Sequence, residues 1–187
     1  MKRKLPILAS LLLASIASAS PDPVPEGFRS LFNGKDLAGW TVPEGDNGHW
    51  KVLDGVIDYD AQSEAEGDKN LWTEEEFGDF ELRLDWRIKE TTGFYDVPYV
   101  LPDGSTVKGP DGKNLTHPIR NADSGIYLRG QSKYQLNIWC WPIGSGEVYG
   151  IRNNESLPQE IRAGVTPKLN ADHPVGHWNT IVITMKG

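Results

Sequence analysis

The chain has 187 residues, a formal charge of −7, seven tryptophans and one cysteine. That length favours one domain with a sizeable core, and the acidic balance excludes a surface made to neutralise nucleic acid or anionic lipid. The lone Cys140 excludes an internal disulfide and reads as a small buried hydrophobe, and no Cys/His pair has the spacing of a structural zinc site.

Lys2, Arg3 and Lys4 precede an apolar run from Leu5 to Ile16, followed by Ala17-Ser18-Ala19. A basic start, a short apolar stretch and small residues at its exit form a secretory signal peptide, too short to span a bilayer. Cleavage is expected after Ala19, with 20–26 as a disordered leader and 27–187 as one domain. The mature chain then carries a charge of about −10. It is expected to be exported, periplasmic or extracellular, and free of the membrane after cleavage.

Beyond the leader, apolar residues mostly alternate at period two. Ser30–Phe32, Trp50–Leu53, Val56–Tyr59 and Asn70–Thr73 read as short strands, with "LDG" a turn between the second and third. "TEEEFGD" could hold one helical turn. "FELRLDWRI", Phe80 to Ile88, is the clearest strand: Phe80, Leu82, Leu84, Trp86 and Ile88 share one face, and Glu81, Arg83, Asp85 and Arg87 the other. The interval 91–122 is rich in Gly, Pro, Asp and Lys and reads as a long functional or disordered loop. "SGIYLRG" and "YQLNIWC" resume the alternation, with Ile126, Leu128, Tyr134, Leu136, Ile138 and Cys140 inward. Their outward positions hold Tyr127, Arg129, Gln135, Asn137 and Trp139. Glu147–Ile151 reads as a further strand inside a second interruption, 144–172, and Trp178–Lys186 as the last. Trp40, Trp86 and Trp178 are expected in the core. Many short strands with turn signals predict an antiparallel β-sandwich or jelly roll. A strand finishing at the carboxyl end with no partner to cover its edge suggests that further C-terminal strands belong to the fold.

Five segments, "FRSLFNGKDLAGW", "FELRLDWRI", "NADSGIYLRG", "WPIGSGEVYG" and "VGHWNTIVITMKG", resemble in order the 3-keto-disaccharide hydrolase family. The resemblance spans Gly27 to Gly187. It implies a concanavalin A-like lectin/glucanase sandwich continuing past "ITMKG", and action on glycosides oxidised to a ketone at sugar carbon 3.

An ordinary glycosidase flanks the bond with two carboxyl groups. The strand Gln135-Leu136-Asn137-Ile138-Trp139 shows amides and an indole instead. A 3-keto sugar needs one base for its C2 proton and donors aimed at the enolate oxygen. Arg129, Gln135 and Asn137 offer donors, and amides are depleted in strands, so the row reads as a floor for a polar, uncharged ligand rather than a solvated face. The candidate bases are Asp85, Asp123, Glu147 and His117, with Arg129 as the catalytic cation. Each has a bland alternative: a cross-strand ion pair for Asp85, an Asx turn for Asp123, and solvent exposure for Glu147 and His117. Trp139 and Trp141 are candidate stacking platforms, or lie under the long loops. Tyr127, Tyr149, Arg152 and Asp123 complete the substrate-binding set, Arg152 as a partner for a sugar hydroxyl or a carboxylate. Loops "PEGDNG" and "GPDGKN" hold oxygen ligands without the spacing of a helix-loop-helix calcium site, so structural calcium stays open as a cofactor. The expected partner is an oligosaccharide or glycoside. A non-catalytic sugar-binding module and a hydrolase of unoxidised glucans remain as alternatives.

Overall fold

A computed structural model describes residues 23–187; the expected signal peptide and the first residues of the leader lie outside the described residues. The chain divides after Glu75 into two compact units. The first holds β1 (Trp40–Thr41), β2 (Trp50–Leu53), β3 (Val56–Tyr59) and β4 (Trp72–Thr73). The second holds β5 (Phe80–Trp86), β6 (Phe94–Pro98), β7 (Thr116–Arg120), β8 (Asp123–Tyr127), β9 (Gln135–Trp139), the helical turn α1 (Tyr149–Arg152), α2 (Gln159–Gly164) and β10 (Asn179–Met185). The chain is all-β and its ladders are antiparallel, as the concanavalin A-like class requires.

In the first unit, β2 and β3 form a hairpin closed by Asp54 and Gly55, both at positive φ. Such a turn matches the twist of the strands it joins. Trp50 and Tyr59, opposite each other in the register, stack with centroids 4.1 Å apart. β1 pairs with β4. Ser30–Phe32 forms no strand, and "TEEEFGD" forms bends with no helical turn.

In the second unit, β5 and β10 pair in full register from Phe80↔Met185 to Trp86↔Asn179. Their apolar face meets Leu128 and Leu136, and Phe80, Leu82, Ile126, Tyr134, Ile181 and Ile183 complete that core. A second core gathers Val97, Ile119, Trp139 and Trp141, with Tyr95 and half-buried Cys140 against it. Trp178 departs from the core expectation: it is 43% exposed, with the Arg87 guanidinium 4.7 Å above its ring.

Two segments differ from their expected form. Interval 91–122 is an ordered hairpin, β6 with β7, whose connection folds into two further tight turns. Glu147–Ile151 makes one bridge, Leu136↔Val148, and then coils into α1. A strand would carry residue 152 about 16 Å from residue 147 and onto the opposite face. The helical turn instead returns Arg152 to Glu147, where the two side chains pair.

Candidate functional site

The register of β8 and β9 builds the site. Asp123 faces Trp139, Gly125 faces Asn137 and Tyr127 faces Gln135. Directly opposed residues share one side of a pleated pair, so these six positions form one face; Ser124, Ile126, Leu136 and Ile138 form the other. The polar row expected from the sequence therefore exists. Gly125 is required in it: a Cβ there would lie 2.6 Å from Gln135 Nε2 and 2.7 Å from the Leu136 carbonyl oxygen. The Gln135 amide lies across that gap and donates to the Ser124 carbonyl at 3.4 Å.

The row is covered rather than open to water. Asn137 is 3% exposed and Trp139 is also buried, because the segment after β9 folds back over them. Gly146 N–H donates to the Asn137 carbonyl at 2.9 Å, and Asn137 N–H to the Glu147 carbonyl at 2.8 Å. The Asn137 amide then donates to Glu147 Oε2 at 3.3 Å. Glu147 is 0% exposed and its other oxygen accepts from Arg152 Nε. Arg152 is 2% exposed, and burial, with the nearby Arg162 guanidinium, lowers its pKa to about 10. It remains charged at neutral pH. The solvent-exposed reading of Glu147 fails, and Arg152 meets a carboxylate of its own chain.

Trp139 and Trp141 stack on each other, centroids 4.1 Å apart and nearly parallel. Both sit in the second core, where the β6–β7 hairpin supplies Val97 and Ile119. They are thus packed under that hairpin and are not an open stacking platform. Tyr149 stands edge-on to Trp139 and is 42% exposed, so it is the aromatic of this group that reaches solvent.

At the edge of the face lies Asp123. It is exposed on one side, its carboxylate has no hydrogen bond among the described residues, and desolvation by the surrounding protein raises its pKa above the usual carboxylate value. The Asx-turn alternative requires such a bond and is not met. Its charge acts on Tyr95, a residue the sequence reading missed inside the presumed loop. Burial, and then the bond from Trp141 and the charge of Asp123, shape the Tyr95 hydroxyl, whose pKa is raised. Trp141 Nε1 donates to that hydroxyl at 2.9 Å, which leaves the Tyr95 proton free to be given elsewhere. The usable signal was the alternation of Tyr95 and Val97 in "GFYDVPY".

The other candidates are held elsewhere. Arg129 follows β8 in a left-handed conformation (φ 54°) that ends the strand, so it leaves the expected row. Its guanidinium donates to the Gly78 carbonyl at 3.1 Å, to Asp79 at 3.2 Å and to the Gly187 carbonyl. Asp85 lies on the exposed face of β5 and accepts from Thr180 Oγ1 of β10 at 2.5 Å, a cross-strand polar pair. His117 is part of β7; its ring packs on Tyr99 at 4.1 Å, and both ring nitrogens are buried without a hydrogen-bond partner among the described residues. Among the described residues, no three His, Cys, Asp or Glu side chains converge as a metal site.

The chain is antiparallel and all-β, of the lectin/glucanase sandwich class; its β8–β9 face carries carboxylate, phenol and amide groups, and the Glu147–Arg152 pair meets that face through Asn137. Residues 27–187 match the 3-keto-alpha-glucoside-1,2-lyase-like domain, and the chain belongs to that family. Its function is carbohydrate-active in that general sense. Comparison with curated proteins gave no match.

Proposed function

We propose that this chain is an exported enzyme, periplasmic or extracellular, that cleaves 3-keto-glycosides by elimination followed by hydration. Asp123 takes the C2 proton, made acidic by the neighbouring ketone. The C–H electron pair enters the enolate, whose oxygen accepts a hydrogen bond from Tyr95. Collapse of the enolate forms the C1–C2 double bond and expels the aglycone oxygen, which takes up a proton. Water then adds across that bond at C1 and C2, and the released sugar keeps its ketone.

The observation that carries this reading is a carboxylate at the end of the amide row that has no hydrogen bond among the described residues, with its charge acting on the Tyr95 phenol. A base works best when its pKa approaches the working pH, and desolvation moves Asp123 in that direction. A retaining hydrolase needs a second carboxylate about 5 Å from the first, whereas Glu147 is committed to Arg152. Asn137, Glu147 and Arg152 act as the rigid base of the site, and Gln135, Tyr127 and Tyr149 line its rim.

The test is turnover. Incubation with a 3-keto-β-glucoside and its unoxidised counterpart should release aglycone from the ketone alone. Turnover of the plain glucoside alone would favour a glucan hydrolase; binding of either sugar without turnover would favour a lectin-like module.

A further inference from the structure

The connection between β6 and β7 is pinned by a helix from the other long interruption. Residues 99–115 fold as two successive turns: Leu101 N–H donates to the Ser105 carbonyl at 2.8 Å and Gly109 N–H to the Lys113 carbonyl at 2.8 Å, and Val107 N–H donates to the Tyr99 carbonyl at 3.0 Å. The first turn presses on α2. Gly104 has φ +81°, and a Cβ there would stand 2.9 Å from Thr166 Oγ1 and 3.0 Å from the Arg162 carbonyl oxygen. Beside it, Gln159 Nε2 of α2 donates to Asp103 Oδ2 at 2.7 Å.

One side chain links this contact to the site. Arg162 Nη2 donates to the Gly104 carbonyl at 3.5 Å, and Arg162 Nε donates to the Arg152 carbonyl at 2.7 Å. Thr166 Oγ1, itself buried, returns a bond to the Arg162 carbonyl at 2.8 Å. Val148 N–H bonds the Val165 carbonyl at 3.2 Å, so the end of α2 also holds the segment carrying Glu147. A planar guanidinium with separated donors can hold two carbonyls at fixed spacing, which a lysine ammonium does poorly.

We propose that Arg162 is a positioning residue: it couples docking of the 99–115 hairpin to the placement of Arg152 against Glu147, and through Asn137 to the sheet face that carries Asp123. The hairpin thereby serves as a structural input to the site. This rests on the proposed reading of that face, but its physical content is separable from turnover.

The experiment combines hydrogen exchange with kinetics on Arg162→Gln, Arg162→Lys and Gln159→Ala, the last breaking only the exposed hairpin bond. Both Arg162 variants should speed exchange in 99–107 and in 148–153 together. Gln159→Ala should do so more weakly, with the same two segments moving in step. On a 3-keto-β-glucoside, Arg162→Gln should lower kcat on the order of 10- to 100-fold, as a displacement of about 1 Å does, with little change in KM. Arg162→Lys should recover thermal stability better than kcat. Faster exchange confined to the hairpin, or kcat unchanged per folded molecule, would overturn the proposal. If the unsubstituted chain turns over no 3-keto-glycoside, the proposed function fails, while coupled or uncoupled exchange still decides the role of Arg162.

Discussion

Two of the carboxylate–cation groups differ in almost every physical respect. In the second unit, Glu147 and Arg152 are sealed from water and joined to Asn137 and the backbone. In the first unit, Asp60 lies between His49 Nδ1 at 2.8 Å and Lys51 Nζ at 3.1 Å, all three partly open to solvent. In the buried pair, each charge depends on the other, because removing one strands its partner in a medium that solvates it poorly. In the open group, water replaces any lost partner at little cost. The buried pair therefore fixes a geometry, whereas the open group only decorates a hairpin.

Arg152→Met should break this comparison most strongly. It leaves Glu147 charged and unpaired and should cost about 3–5 kcal/mol in denaturant unfolding. The double change Glu147→Gln with Arg152→Met should recover much of that loss. Equal, small effects from both would mean that the pair is far more hydrated than its burial implies.

Arg129 provides an intermediate case, with its charge on Asp79 and further bonds to carbonyls on a partly exposed surface. Arg129→Ala is expected to cost about 1 kcal/mol, between the two extremes. His117 sharpens the comparison from the other side, as a buried polar group with no hydrogen-bond partner among the described residues. Replacing such a group by an apolar ring of similar shape is close to neutral or stabilising. His117→Phe should hold or raise the melting temperature, and a marked fall would reveal a partner for the imidazole.

The smallest effect concerns Asp60. Despite some desolvation, bonds from Lys51, the Gln62 N–H and His49 lower its pKa to about 2. A carboxylate with a folded pKa below its unfolded one stabilises above the unfolded value, near 4, and loses that contribution as pH falls towards the folded value. Melting curves of the native chain and Asp60→Asn should differ slightly at neutral pH and converge between about pH 4 and pH 2.

Much of the framework was legible in the residues. β2 and β3 fall where alternation and the Asp-Gly turn place them, and β5 shows the expected alternation of half-buried and exposed positions. Register also preserved the polar row, since a period of two fixes which side chains share a face. What escaped has particular causes. Pro98 and Pro118 mark β6 and β7 as loop, because proline interrupts a ladder and is tolerated mainly at edges. Missing that hairpin hid Tyr95, whereas cover over Trp139 and Trp141 was one of the two readings their place in the pattern allowed. The return of Arg152 to Glu147 was hidden because a four-residue helical turn leaves no periodic signature. Arg129 left its row through a backbone conformation uncommon for a non-glycine residue.

The central claim is that Asp123 is the base of the site, and the pH dependence of kcat/KM for a 3-keto-β-glucoside tests it most directly. The acid limb should fall above the ordinary aspartate range, and Asp123→Asn should abolish that limb while lowering the rate by about 10²- to 10⁴-fold in a folded protein. An unchanged limb and rate in Asp123→Asn would contradict the assignment.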